Sequence, residues 1–348
     1  MVSPYWEYGG AEVQFQHYYN ALAEVASISK ISFISMAGDG EGKPGNIPNR
    51  FSCSPKVMTF RKLPFALLFY LELLCKVRAL KPEVVYGYSL YLLPVLAMIK
   101  ILWRGKVKVV YSERILNQKV AATAFLSPVY RLFDSIIVNS KQLLDFFSKR
   151  CRVCSPILIN NKVEQFAWRE SKRENDFVIG IPARLIPEKN QILVLKALLS
   201  RNFVISGKNI RVLLFGNWEN ESYRREIEYV IRCSSGASEI RNVIPIKEVY
   251  SQVDLIVLPS LYEGTSNVIL ECMLNKKNFL CSRIRSNVDI GTPDEFMFEL
   301  DEHSFNDRLG YFVTGQLEQV EVLDELSQSI ERQNKIFSSS VISALMPH

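Results

Sequence analysis

The sequence predicts an α/β protein of two doubly wound domains, each a parallel sheet covered by helices on both faces. Three observations predict it. A chain of 348 residues that is 48% hydrophobic is long enough to bury two cores of ordinary size. Short β-branched or apolar runs alternate with helical stretches through both halves, as in parallel sheets. Between the two series lies a polar, charged segment, AWRESKREND at 167–176, with the composition of a linker. The expected organisation is an N-terminal domain at 1–165, a linker at 166–176 and a C-terminal domain at 177–335.

In the first half, Gly9-Gly10-Ala11-Glu12 introduces a helical pattern to about residue 26, with Val13, Tyr18, Leu22 and Val25 available for burial. Paired glycines at a helix start let a backbone come close to a ligand. Strand-like runs follow at 31–36, 57–60, 84–86, 107–111 and 135–138. The Gly/Pro-rich stretch 37–50 is expected to be a mobile loop. Residues 63–80 carry leucines and aromatics around most of their circumference, with Lys76, Arg78 and Lys81 at the C-terminal end. A core helix and a helix docked on a membrane surface both fit that pattern. Residues 84–103 approach the length of a membrane span but contain Pro94 and Lys100, so they read as a buried strand, a turn and an apolar helix. VVYSERI places Glu113 and Arg114 at the carboxyl end of a strand, where open α/β sheets put ligand groups.

In the second half, a strand at 177–181 runs into IPARLIPEKN, whose Arg184 and Lys189 lie on a loop that enters a helix. Two cations so placed can converge on one diphosphate. Strands are expected at 212–215, ending at Gly216-Asn217-Trp218, and at 242–246, then a short helix at 248–253. The apolar run 254–258 breaks at Pro259, passes through a polar turn with Gly264 and resumes at helical spacing through Val268, Ile269, Met273 and Leu274. That is a strand, a loop and a helix start. Helix N-termini present unpaired N–H groups and partial positive charge, so Gly264, Thr265, Ser266 and Asn267 can hold a phosphate. Glu263 precedes the helix and Glu271 is expected two turns inside it. Carboxylates suit hydroxyl donors, so a ligand with phosphate in the middle and hydroxyls at both ends fits: a nucleoside diphosphate sugar. The sheet continues at 278–282, and 316–336 reads as an amphipathic helix.

LPSLYEGTSNVILECM, with its E-x7-E spacing, resembles the donor-binding signature of the retaining glycosyltransferases of family 4. The resemblance extends over residues 9 to about 335 and implies the GT-B fold, two Rossmann-like domains facing across a cleft, with the final helix packing back towards the first. By it, Glu263 touches the sugar hydroxyls of the donor and Glu271 the ribose hydroxyls. Gly9 and Gly10, in GGAE, face the diphosphate across the cleft. Arg184 and Lys189 match a "GRL…EK" motif with Ala183 in place of glycine, and 287–290 match a loop that faces the donor. VNSKQLLDFF and ILINNKVEQF resemble the last elements of the first domain and its "NGVD" lead into the linker, with Lys162 and Glu164 substituted. The chain departs from the pattern in two places. The family has an apolar strand of five or six residues before the glycines, whereas only Met1-Val2 stand here. Either the start lies upstream or the domain lacks a central strand. The family often carries a histidine that contacts the donor sugar, but His17, His303 and His348 are the only histidines and none ends a strand. Glu113, Arg114 or neither takes that place, on the acceptor and sugar side.

The implied activity is retaining sugar transfer, of hexosyltransferase type, to a saccharide or lipid-linked acceptor in capsule or O-antigen assembly. The sequence has no D-x-D motif and no histidine or acid cluster with metal-ligand spacing, so no metal and no cofactor beyond the substrate is expected. Positive charge at the leaving diphosphate would then come from Arg184, Lys189 and the helix start. An epimerase of the same fold would need acid and base groups beside the sugar, which the scarcity of histidines disfavours. A non-catalytic nucleotide-sugar-binding or scaffold protein is the other alternative, motivated by the short first strand and the substituted glycines.

Charge is uneven: residues 1–165 hold 21 Lys+Arg against 11 Asp+Glu, or +10, and the remainder 21 against 25, or −4. A basic half suits an anionic partner, such as the inner face of a membrane. Without a recognition motif or aromatic-basic repeats, nucleic acid is not expected. Seven scattered cysteines argue for reduced thiols and a cytoplasmic location, peripheral contact with the plasma membrane aside. The opening MVSPYWEYGG has neither the basic start nor the apolar run of a signal peptide. Cys151 and Cys154 form a C-x2-C without a second ligand pair.

Overall fold

The computed structural model describes residues 2–3, 10–25, 31, 33–35, 50–52, 63–116, 120, 123–152, 156–169, 176–315 and 320–346. They fall into two compact units, Met1–Lys162 with Gln333–His348, and Val163–Arg332. Gly9, Cys154 and the runs expected at 37–49 and 57–60 lie outside the described residues.

The first unit contains strands β1 (Val2–Ser3), β2 (Phe33–Ser35), β3 (Arg50–Ser52), β4 (Val84–Tyr88), β5 (Lys108–Glu113), β6 (Ser135–Val138) and β7 (Ile157–Leu158). All pair in parallel, in the order β3-β2-β1-β4-β5-β6-β7. The central strand that the sequence left in doubt is present: Val2 pairs with Ile34 on one side and Gly87 on the other. Helices α1 (Gly10–Ala23), α2 (Leu63–Leu80), α3 (Leu93–Leu102), α4 (Ser127–Tyr130) and α5 (Lys141–Asp145) accompany the strands.

Strand residues alternate between faces, and here both faces are apolar. Val85, Val109, Tyr111 and Ile136 join a cluster with Phe69, Leu73 and Val77 of α2 and with Leu96 and Ile99 of α3. Tyr86, Tyr88, Val110 and Ile137 join Phe15 and Tyr18 of α1 and Phe337 and Val341 of the last helix, Val320–Leu345. Gln14, fully buried, exchanges two hydrogen bonds with the Lys162 backbone: its Nε2 donates to the carbonyl (2.6 Å) and its Oε1 accepts from the amide (2.8 Å).

The second unit repeats the plan. Strands β8 (Asp176–Pro182), β9 (Val204–Ile205), β10 (Lys208–Phe215), β11 (Ser238–Arg241), β12 (Leu255–Leu258), β13 (Phe279–Ser282) and β14 (Met297–Phe298) form a sheet of order β11-β10-β8-β12-β13-β14, parallel except where β9 folds antiparallel onto β10. Helices α6 (Gln191–Leu199), α7 (Glu221–Cys233), α8 (Ile246–Gln252), α9 (Asn267–Leu274), α10 (Arg285–Asp289), α11 (Glu302–Thr314) and α12, the Val320–Leu345 helix, complete the chain. With β9 set aside, the strand order counted within this unit is 3-2-1-4-5-6, and the connections reverse direction between β8 and β12. Open α/β sheets bind ligands at the carboxyl ends of the strands at such a reversal.

Two expected elements differ. The third strand is Ser238–Arg241, paired residue by residue with Val212–Phe215, rather than 242–246. Its polar Ser238, Glu239 and Arg241 leave only Ile240 as an apolar signal, although Ser238 is buried and Ile240 packs on the core, while Pro245, lacking an amide hydrogen, ends the extended run and caps α8. Residues 287–290, expected as a loop, belong mostly to α10. The segment 164–168 is bound to the second unit: the Asn275 side chain accepts from the Phe166 amide (2.8 Å) and donates to the Glu164 carbonyl (3.1 Å), and Trp168 Nε1 donates to the Asn275 carbonyl (2.9 Å). Lys277, 1% exposed, donates to the Val253 carbonyl (2.6 Å) and lies 4.3 Å above the Trp168 ring.

Candidate functional site

The β8 and β12 ends meet at the reversal point. After β12, Ser260 is buried; its hydroxyl donates to Glu263 Oε1 (2.7 Å), and its carbonyl accepts from Ser282 Oγ (2.6 Å) at the end of β13. The Leu261 amide donates to the Glu188 carbonyl (2.9 Å), joining this loop to the one after β8. There a one-turn 3-10 helix, Pro187–Lys189, ends at Asn190 in the left-handed region, from which α6 begins. Asn tolerates that conformation better than most residues. The turn aims Lys189 Nζ at Glu263 Oε1, with which it forms an ion pair. Glu263 Oε1 thus receives both the Ser260 hydroxyl and the Lys189 ammonium.

Arg184 does not share that pair. Its Nη1 reaches both carboxylate oxygens of Glu219 at 3.1 Å, and the side chain is largely exposed. The two predicted cations lie on one loop, each held by a different carboxylate. Beneath them, buried Gln191 donates to the Arg184 carbonyl (2.9 Å) and accepts from the Tyr223 hydroxyl (3.0 Å). Gly216, after β10, fixes the spacing of these loops, since a Cβ there would stand 2.0 Å from the Ala183 carbonyl oxygen. Ala183 is thus approached closely by a glycine at the end of the neighbouring strand β10.

Gly264 and Ser266 are buried, and Thr265 and Asn267 half-buried, where the chain turns into α9. Ser266 is the N-cap but offers no side-chain hydrogen bond to the first turn, so the helix start lacks the usual hydroxyl acceptor. Glu271 is the fifth residue of α9, one turn inside rather than two, because the helix begins only at Asn267. Its half-buried carboxylate has no hydrogen-bond or ion-pair partner among the described residues. Burial, and secondarily the Glu164 carboxylate, push its pKa up to about 8.

Beyond β13 lies a group of buried polar atoms, of whose residues the sequence singled out only Asn287. Asn287 Nδ2 donates to the Ser282 carbonyl (2.8 Å), but Asn287 Oδ1, Ser286 Oγ and Thr292 Oγ1 are buried without a partner. The resemblance placed Asn287 in a donor-facing loop, but nothing in the sequence marks these oxygens as orphaned, because that is a tertiary property. Glu219, the Arg184 partner, was equally silent.

In the first unit, Gly10 is the exposed first residue of α1. Glu113 and Arg114 do end β5, but both are buried. Glu113 accepts from the Tyr111 hydroxyl (2.7 Å) and the Arg114 amide (3.0 Å); Arg114 Nη1 donates to Asn161 Oδ1 (3.0 Å), and its guanidinium lies over the Tyr18 ring. Burial raises the Glu113 pKa. The structure therefore ties these two side chains into the unit itself. Among the described residues, no group of three or more His, Cys, Asp or Glu is placed to hold a metal ion.

Comparisons with known proteins bear on this geometry. Residues 162–332 match the family described as "Glycosyl transferases group 1", so the second unit is a glycosyltransferase group 1 domain. No curated protein sequence matches significantly. Among solved structures, Anabaena Alr3699/HepE in complex with UDP is similar at TM-score 0.72 and 15% identity, over 98% of each chain. An E. coli trehalose-6-phosphate protein bound with UDP-2-fluoro glucose gives 0.72 and 14%, over 100% of this chain and 99% of that one. Sucrose-phosphate synthase from Thermosynechococcus elongatus gives 0.72 and 12%, over 97% and 90%. At such identities the likeness establishes the fold, which is GT-B with two Rossmann-like domains.

Proposed function

We propose that this protein is a retaining glycosyltransferase that moves a sugar from a nucleoside diphosphate sugar to a saccharide or lipid-linked acceptor in capsule or O-antigen assembly. The observation that carries the reading is Glu271: an unpartnered, half-buried carboxylate, one turn inside a helix whose start is uncapped, at the sheet reversal of a group 1 domain. A pair of ribose hydroxyls would supply the hydrogen bonds it lacks. The diphosphate would lie on the amides of Gly264, Thr265, Ser266 and Asn267, against Lys189 and Arg184. Solved structures of the same fold hold UDP or a UDP-sugar, which supports that donor class.

The chemistry assigned to these residues is leaving-group stabilisation. The acceptor oxygen bonds to the anomeric carbon on the face from which the diphosphate departs, as the carbon–oxygen bond to phosphate breaks. The departing phosphate oxygen takes the acceptor proton, so no separate base is needed. Lys189 neutralises the growing phosphate charge, and Glu263, with Ser260 behind it, fixes the ammonium and accepts from a sugar hydroxyl. Arg184 would exchange Glu219 for phosphate when the donor binds; its exposure permits the change.

A peripheral contact with an anionic membrane surface on the cytoplasmic side completes the reading. Ile101 and Leu102, at the end of α3, are each 62% exposed, and Arg104 and Lys106 beside them are exposed as well. Apolar side chains flanked by cations suit acyl chains under acidic headgroups. Among the described residues no helix is long and apolar enough to cross a membrane.

The test is a panel of UDP-, GDP- and ADP-sugars, read by thermal shift and by nucleotide release with and without saccharide acceptors. Binding followed by acceptor-dependent release and an α-retained product supports the transferase. Binding without release would replace it by a nucleotide-sugar-binding protein, and no binding at all would remove the donor site.

A further inference from the structure

We propose that the second unit carries another saccharide-binding site, remote from the donor loops, in a cavity of about 410 Å³ between the β9–β10 hairpin, the chain leaving α6, and α11. This inference goes beyond the proposed activity and does not depend on it. The cavity sits at the opposite end of β10 from Gly216. Eight residues of strand separate the two places, roughly 25 Å, so a ligand here takes no part in the reacting centre.

Local structure builds the walls firmly. Ile205 pairs with Lys208 across the two-residue turn Ser206-Gly207, both with positive φ (49° and 81°), the geometry that suits the twist of a hairpin. Asn202 and Phe203 are also left-handed, which turns the chain sharply from α6 into β9 and buries Phe203. On the other side, α11 is stopped at both ends: Asp301 accepts from the Ser304 amide (2.8 Å), and Gly315 is left-handed. Phe305, Leu309 and Phe312 of α11 enter the core. Asn306, Asp307, Gly310, Tyr311 and Thr314 recur at helical spacing and line the cavity.

Two features of that lining cost the fold stability and give it nothing in return. Gly310 lies in the helix interior, where glycine is less stable than alanine. No close neighbour demands it, since a Cβ there would meet only Ser206 Oγ, at 3.9 Å. What glycine provides at this position is open space in the cavity. Asn306 is 7% exposed; its Nδ2 donates to the Ala197 carbonyl (3.1 Å), while Oδ1 is buried without a partner. An unmet acceptor beside the cavity is an expensive arrangement, and because the oxygen is enclosed, a small turn of the side chain would be needed to bring it to a bound donor.

The chemistry of the walls selects the ligand. Arg201 donates and has no ion-pair partner among the described residues; Asp307, one oxygen of which faces His303 Nδ1 at 3.0 Å, can accept on the other; Ser206 can do either. Tyr311 and Val204 are exposed apolar surfaces beside these groups. Alternating donors and acceptors around an aromatic ring fit a pyranose, with hydroxyls on its rim and C–H groups on its faces. A diphosphate would meet the Asp307 carboxylate, and a lipid chain would find mostly polar walls. The volume lies in the usual range for small-molecule sites.

The test uses the full-length protein titrated with D-glucose, D-galactose, D-mannose, N-acetyl-D-glucosamine and maltotriose, followed by amide NMR. At least one sugar is expected to bind saturably and to shift amides in α11 and the hairpin. Gly310→Leu, which fills the cavity and replaces a helix-interior glycine, should weaken that binding by about tenfold or more with no loss of thermal stability. Tyr311→Ala should weaken it similarly and serves if the first variant folds poorly. Binding should survive Glu271→Ala, a substitution expected to abolish only nucleotide-sugar binding, so failure of the donor reading and failure of this one are told apart. No saturable binding by any of the five sugars overturns the proposal, as does unchanged affinity in folded Gly310→Leu and Tyr311→Ala.

Discussion

The Glu271 carboxyl should make donor affinity depend on pH in a direction set by its surroundings. With a pKa near 8, only about a tenth of the unliganded protein carries the carboxylate at pH 7 and about a hundredth at pH 6. Two ribose hydroxyls donate best to the ionised form, so binding must remove the proton. Affinity for a nucleoside diphosphate sugar should therefore rise from pH 6 to 8 by up to about tenfold per pH unit and level off above. Stability of the free protein should run the other way. A carboxyl whose folded pKa is raised stabilises the fold fully below its unfolded value, 4.5, and loses that contribution as pH climbs through about 8. Raising the pKa from 4.5 to about 8 corresponds to at most roughly 5 kcal/mol, less because solvent reaches the half-buried group. Glu271→Gln removes both effects: its advantage in thermal stability over wild type should widen from pH 5 to pH 8, and its weaker donor affinity should be flat. The assays are calorimetric titration and thermal unfolding across pH 5 to 9. A diphosphate sugar is the right probe because it lacks the secondary phosphate ionisation of free nucleotides. A wild-type affinity that is flat from pH 6 to 9, or a slope shared by Glu271→Gln, would refute the reasoning.

Lys189→Ala should lower single-turnover sugar transfer by on the order of 100-fold or more while the protein stays folded; transfer at the wild-type rate would remove Lys189 from the site. Lys277→Met should lower unfolding free energy by roughly 1–3 kcal/mol in a denaturant titration, because it deletes the bond to the Val253 carbonyl and the contact over Trp168. An unchanged midpoint would mean that methionine packing offsets both. Replacing Ile101 and Leu102 by serine should cut co-sedimentation with phosphatidylglycerol-containing vesicles, and equal binding would clear α3 of a membrane role.

The fold was legible where a residue pattern depends on its own neighbours. Strand β6 and helix α2 fall where the periodicity placed them, since apolar alternation and leucine spacing are local properties. Strand β11 escaped because its inward face is made by one isoleucine and a serine, Ile240 and buried Ser238, too little apolar alternation to read. Strand β1 was doubtful because a two-residue strand has no pattern at all; two neighbouring strands, and not its own sequence, hold Val2 in the sheet.

The site divides along the same line. The placement of Glu263, Gly264 and Glu271 around one helix start was legible because strand, loop and helix start follow one another within thirteen residues, whereas the Lys189 partner of Glu263 and the burial of Glu271 come from distant chain. Arg184 was legible as a cation but not as the partner of Glu219, 35 residues on, because only the return of β10 beside β8 brings the two together. Glu113 and Arg114 show the converse. Their place at a strand end was readable, but the shell that encloses them comes from Tyr18 and Asn161, far away in the chain. A charged residue at a strand end is open to ligand only if no distant aromatic covers it. Asn306 and Gly310 are the extreme case: neither belongs to a motif, and each becomes informative only when the helix carrying it faces a hairpin with a gap between them. Sequence motifs therefore mark candidate groups that share one loop, whereas candidates defined by space left empty must be found in the fold.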